Sequence, residues 1–269
     1  MWVYTTVPYS ENPAIRLFTY CPSRSSDWPK AYLKNYTGFL MTDDYSGYSF
    51  ISPDRHCLCF VHARRKFKEA ELANANDWTG TLVEEALHKI GNLFHVEQSY
   101  ASLSADERKE KRCKKPLQNS QTNDSPQNSD NEIAILRDLF AWAKQNQDRV
   151  IPKSAISKAL NYLVSNETGL LTYLKDGHCS LSNNIAENAI RPFTVGRKSW
   201  LFINSPKGAV ASAAVYSIIE TCKANQINPE DYLLRVFEKA PQETHFTQPE
   251  VLDTYLPWNL MTQETKLSE

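Results

Sequence analysis

The 269-residue sequence lacks an excess of charge of either sign: 30 Lys and Arg stand against 31 Asp and Glu, a formal charge of −1. Nothing global advertises a polyanionic partner, so any nucleic-acid-binding surface must be a local patch. Paired CxxC motifs are also missing. The six cysteines, Cys21, Cys57, Cys59, Cys113, Cys179 and Cys222, are scattered, which argues against a disulfide framework or a structural zinc site and for free thiols in a reducing compartment. No uninterrupted apolar run approaches the roughly 18 residues that span a bilayer, and the N-terminus has no basic stretch followed by an apolar one. These absences predict a soluble, cytoplasmic chain that engages no membrane. No internal repeat is visible.

What is present begins with strands. "WVYTTV" (2–7) and "AIRLFTYC" (14–21) are β-branched and aromatic, and the "PYSENP" between them supplies turn residues, predicting a hairpin. "SSDWPKAYLKNYTG" offers Ser26 or Asp27 as N-cap, Pro29 in the first turn and Gly38 as a stop, so a short helix precedes the apolar run "GFLMT". Asp43 and Asp44 then fall where a strand ends. "HCLCFVH" (56–62) suits a buried fourth strand, after which the chain turns basic and helical. From about residue 64 to 175 the pattern is helical and charged, interrupted at 104–131 by a polar segment with almost no large apolar residue, read as a linker. Its front part, "RKEKRCKK" (108–115), carries six cations against one acid and reads as a solvated charge run. "GAVASAAVYSIIETCKAN" reads as a tightly packing helix of small residues, and "NPEDYLLRVFEKAP" gives Asn228 as N-cap with Pro229 behind it.

The stretch "NNIAENAIRPFTVGRKSWLF" (183–202) sets one acid, Glu187, ahead of Arg191, Arg197 and Lys198. Asn184 and Glu187 have the spacing of a capping box, in which the acid only reaches back to orphan amides. The alternative is a metal-binding carboxylate with phosphate-binding cations beside it. A carboxylate at the end of a sheet strand points into the crevice where open α/β sheets place ligands, and a second one on a packed helix can reach the same crevice. Asp43 and Glu187 have those placements. Paired divalent ions can activate an attacking oxygen and stabilise a leaving one in displacement at phosphorus, and magnesium prefers hard carboxylate oxygens. Arg191 lies one helical turn after Glu187 and on its face, while Arg197 and Lys198 lie beyond Pro192 on the exit of that helix. Cys59 and His62 have metal-ligand character but no second pair nearby, so they read as a packed strand end. Trp200 and Phe202 read as core.

Taken together, "CPSRS" (21–25), "GFLMTDDYSGY" (38–48), "CFVHARRKF" (59–67), "LSNNIAENAIRPFTVGRKSWLF" (181–202), "SIIETCKANQINPEDYL" (217–233) and "LPWN" (256–259) resemble the catalytic region of the insertion sequence 66 family of bacterial transposases. The resemblance implies an α/β fold, a ribonuclease-H-like mixed sheet with flanking helices and a helical insertion, and an Asp, Asp, Glu triad. The family's second aspartate falls on Asp43 and its glutamate on Glu187, with Asp44 where the family usually has glycine. The family's first aspartate lies on a strand before "WVY", so this resemblance reads the chain as N-terminally truncated, with Asp44 a candidate substitute ligand. The implied organisation is residues 1–63 and 176–240 as parts of the catalytic domain, 64–175 as the insertion with a disordered linker at about 104–131, and 241–269 as a tail. The implied cofactor is Mg2+ or Mn2+. Implied partners are DNA, at element ends and target, and a second copy or the full-length transposase. Arg64, Arg65, Lys66, Arg191, Arg197 and Lys198 are the candidate DNA contacts. The implied activity is metal-dependent DNA cleavage and strand transfer, with a catalytically silent, DNA-binding or transposase-pairing remnant as the alternative.

Overall fold

A computed structural model describes residues 1–73, 81–114, 131–200, 205–245 and 247–260. In chain order it holds β1 (Trp2–Thr5), β2 (Arg16–Thr19), α1 (Asp27–Tyr32), β3 (Leu40–Thr42), β4 (His56–Leu58), α2 (Phe60–Ala73), α3 (Leu82–Ser99), α4 (Ala105–Cys113), α5 (Glu132–Gln147), α6 (Ala155–Ser165), α7 (Glu167–Leu171), α8 (Asn184–Trp200), α9 (Pro206–Ala224), α10 (Pro229–Lys239) and α11 (Pro249–Thr254). The chain is therefore mixed α/β and mostly helical, with small sheets: β1 and β2 pair antiparallel, β3 and β4 pair parallel. The described residues fall into two compact bodies, Ser25–Asn183 and Met1–Arg24 with Asn184–Glu269.

In the body formed by Ser25–Asn183, β4 and helices α2, α3, α5, α6 and α7 bury one continuous apolar core that includes Phe60, Phe67, Ile90, Leu93, Leu136, Leu139, Leu160 and Leu170. Phe60, expected at the end of a strand, instead opens α2, and its amide donates to the Leu181 carbonyl (3.1 Å). A short apolar run fits a buried strand or a buried helix equally well, and here the periodic Phe60, Ala63, Phe67, Ala70 face selects helix. The front of the polar segment is also helical rather than a linker. Ser104 caps α4, its hydroxyl accepting from the Glu107 amide, while Glu107 reaches back to the Ser104 amide. Arg108 and Arg112, four residues apart on one face of α4, are 1% and 0% exposed, so these two cations are not part of a solvated face, whereas Lys109, Lys111 and Lys114 of the same run are exposed as expected. Arg112 donates to both oxygens of Glu97 and to the carbonyls of Tyr173, Asp176 and Cys179. Arg108 donates to the carbonyls of Gly177, Leu103 and Tyr100.

The other body is organised by α9. Its Ser217 and Thr221, with Asn225 just after its last turn, recur every four residues, and their side chains bond both backbone groups of Phe18 and Arg16 on the outer edge of β2 and of Ala14 before it. The match is metric: four helical residues rise about 6 Å and two strand residues about 6.6 Å. A helix face thus acts as a third strand and removes an open sheet edge. Ala213 of α9 and Phe193 of α8 close over Phe18, and a smaller cluster of Cys222, Tyr232 and Leu260 joins α9 to α10. Helix α8 does not end at Pro192, as expected, but runs through it to Trp200. An interior proline removes one helical hydrogen bond and crowds the carbonyl one turn back, costing about 3 kcal/mol, and the helix is retained there with Phe193 packed against β2's Phe18.

Candidate functional site

Asp43 follows β3 directly, at the carboxyl end of the parallel pair, which is the position at which open α/β sheets expose ligand-binding groups. Its Oδ1 accepts the Tyr45 amide (3.3 Å), fixing the turn that leaves the strand. Thr42, buried beneath it, donates its hydroxyl to the Asp43 carbonyl, and His56 Nε2 lies 2.7 Å from that same hydroxyl oxygen. The hydroxyl proton being spent, His56 donates from Nε2. Burial pushes the His56 imidazole below its ordinary pKa, against the pull of Asp44 and Asp43 in the other direction. Asp44 points elsewhere: its Oδ2 accepts from the Asn166 amide nitrogen (3.0 Å), at the junction of α6 and α7. A cleft of about 240 Å³ opens at this point, lined by Asp44, Ser46, Ser49, His56, Asn166 and Thr168 among others.

Glu187 belongs to the other body, half-buried in the first turn of α8. Since α8 begins at Asn184, that residue is already helical and is not the cap expected of it. Arg191, one turn on, and Lys198 are exposed; Arg197 sits on α8, but its side chain and that of Trp200 lie outside the described residues, as does Phe202. On α2, Arg64 and Arg65 are exposed, whereas Lys66 is paired with Glu69 (3.6 Å). Cys59 is fully buried and its sulfur accepts the Asn183 amide (3.4 Å), the packing role expected of it.

Family comparison decides what these segments are. Residues 1–211 match the model described as Transposase IS66 family, and residues 217–258 match the IS66 C-terminal element. The chain belongs to the IS66 transposase family. Among the relatives of this IS66 family member, the uncharacterized protein y4hP of Sinorhizobium fredii (strain NBRC 101917 / NGR234) is 28% identical over 242 residues, 84% of this chain and 41% of that protein. The uncharacterized protein y4qI of the same strain is 26% identical over 272 residues, 96% of this chain and 46% of that protein. The chain thus spans less than half the length of either. No solved structure matches it significantly. No described helix is long and apolar enough to cross a membrane.

Among the described residues no three His, Cys, Asp or Glu side chains gather as a metal cluster. Asp43 and Glu187 nevertheless offer the right donor chemistry, because magnesium takes hard oxygens and is commonly held by one or two carboxylates together with waters and substrate phosphates. The residues around Asp43 and Asp44 that sequence reasoning did not single out are Thr42, His56 and Asn166. Only His56 carried a signal, a polar group opening an apolar run.

Proposed function

We propose that this chain is a catalytic region for DNA transposition, a metal-dependent nuclease and strand transferase with a ribonuclease-H-like core. The observation that carries the reading is the position of Asp43, at the carboxyl end of a parallel strand pair within the family-matched span. The order of the elements supports the core: an antiparallel hairpin, then a parallel pair, then helices. Asp43 and Glu187 would hold Mg2+ or Mn2+, which when bound supplies charge stabilisation at the reacting phosphate. Arg191 steadies a phosphate near Glu187, and Arg64 and Arg65, with Lys66, Arg197 and Lys198, hold DNA backbone through sequence-independent contacts. Element ends and target DNA are the partners, and a second copy or the full-length transposase is the protein partner.

The test incubates the chain with labelled duplex bearing element ends in Mg2+ or Mn2+. Cleavage or joining that Asp43→Asn and Glu187→Gln each reduce by about a hundredfold or more supports catalysis. Metal-independent DNA retention without cleavage identifies the silent remnant instead. Neither retention nor cleavage overturns both.

A further inference from the structure

Helix α6 carries a polar pair that neither the family motifs nor the metal reading uses. Asn166, the residue that follows its last turn, spends its side-chain amide on Asp44 Oδ2 across 122 positions of sequence. Its place is the N-cap of α7, yet its side chain makes no capping bond there. One turn earlier on the same helix face stands Tyr162, whose carbonyl accepts the Asn166 amide (3.1 Å). The phenol oxygen of Tyr162 is buried and has no hydrogen-bond partner among the described residues. Burial holds that phenol protonated well above its ordinary range, reinforced by Asp44, Cys59 and Asp43. A buried donor left unused one helical turn from the residue that holds Asp44 requires an explanation, because native interiors rarely tolerate one.

We propose that Tyr162 and Asn166 form a two-donor clamp that positions the Asp43–Asp44 carboxylates. Asn166 draws Asp44 toward the cleft, so that Asp43 alone presents its carboxylate from the strand end. Tyr162, one helical turn before Asn166 on the same face of α6, is the reserve donor. Both are positioning residues and neither touches the reacting atoms. The clamp rests on the reading of Asp43 as a metal-holding carboxylate, and it adds the α6–α7 corner of the helical insertion to that site.

Two measurements on the full chain separate the clamp from the reading beneath it. The first uses tyrosine labelled with 13C at Cζ, the Tyr162 resonance being assigned by its loss in Tyr162→Phe. Asp43→Asn and Asp44→Asn should each shift that resonance, with no metal present. An unmoved Tyr162 resonance in both variants overturns the clamp. The second measures Mn2+ affinity by electron paramagnetic resonance. Tyr162→Phe and Asn166→Ala should each weaken binding about tenfold, the usual effect of removing a group that orients a ligand, while Tyr162→Phe leaves the melting temperature unchanged or raised. Tyr162→Phe with a lowered melting temperature and unchanged Mn2+ affinity makes the phenol structural and overturns the clamp. A wild-type chain that binds no Mn2+, with the Tyr162 resonance still moving on Asp43→Asn, removes the metal reading and leaves the clamp standing as a contact.

Discussion

Replacing Arg112 by methionine should be among the most damaging single changes in the body formed by Ser25–Asn183. The guanidinium is 0% exposed and lies 4.9 Å from the Tyr173 ring centroid. It bonds Glu97 Oε2 through Nε (3.0 Å) and the carbonyls of Cys179 (2.9 Å) and Asp176 (3.2 Å). Methionine fills much of the volume and restores none of these bonds, leaving Glu97, 7% exposed, without its counter-charge. Removing one partner of a buried pair costs about 3–5 kcal/mol, which for a body of this size is a fall in Tm of roughly 6–20 °C. Urea unfolding followed by far-UV circular dichroism reads the loss directly. The partner variant Arg112→Met/Glu97→Met should recover part of it, since an apolar pair replaces an orphaned charge. A single-variant loss below about 1 kcal/mol, or a double variant less stable than the sum of the singles, would falsify the assignment of the pair as a tertiary anchor.

Glu132 is fully buried beside Glu97 and accepts from the Tyr173 hydroxyl (2.7 Å); burial, with Glu97 next in order, pushes its carboxyl up to about 9. The folded chain therefore keeps a proton that the unfolded chain releases near pH 4.5, so stability falls as pH rises from about 4.5 to about 9. Glu132→Gln should flatten that slope and gain most over wild type near pH 8; equal slopes in chemical denaturation would sink the argument. Thr221→Val keeps the shape of α9 but leaves the Arg16 amide and carbonyl unpaired at the β2 edge, and a loss of about 1–3 kcal/mol in urea is expected. An unchanged midpoint would mean that water replaces the hydroxyl. DNA affinity should be sequence-tolerant and fall steeply with salt, and Arg64→Ala with Arg65→Ala should flatten the log–log slope by about 2 in duplex titrations. Tight binding that persists at high salt would point to base contacts instead.

The hairpin, the strand ending at Asp43 and the Asn228 cap were legible because each rests on local chemistry. β-branched and aromatic residues make β1 and β2, and the Asn228 side chain accepts the Glu230 amide (3.0 Å) as its spacing requires. The polar segment misled for an equally specific reason. Composition counts charges without asking which face they occupy, and Arg108 and Arg112 share one face of a helix whose start was written as Ser-Ala-Asp-Glu. Proline at 192 misled in the opposite way: its ring costs the helix a hydrogen bond and a steric clash, yet α8 continues through it with Phe193 buried against Phe18.

The surroundings of Asp43 show where sequence reading stops. Asp43 itself can be placed by the end of an apolar run, and the Tyr45 amide that fixes its carboxylate is local, but the contacts of its two chain neighbours come from elsewhere in the chain. His56 reaches Thr42 from the neighbouring strand, and Asn166 reaches Asp44 from a helix corner. Neither pairing has a period, and long-range side-chain bonds leave no trace in local propensity. Asn166 even carries a false signal, since an asparagine between two helical runs reads as a cap. The structure shows that its amide does not cap. A residue placed to do a local task, whose side chain is spent on a distant acid, is the physical mark of a site assembled across the fold. The α6–α7 corner is tied in this way to the residues that follow β3, although no motif joins them.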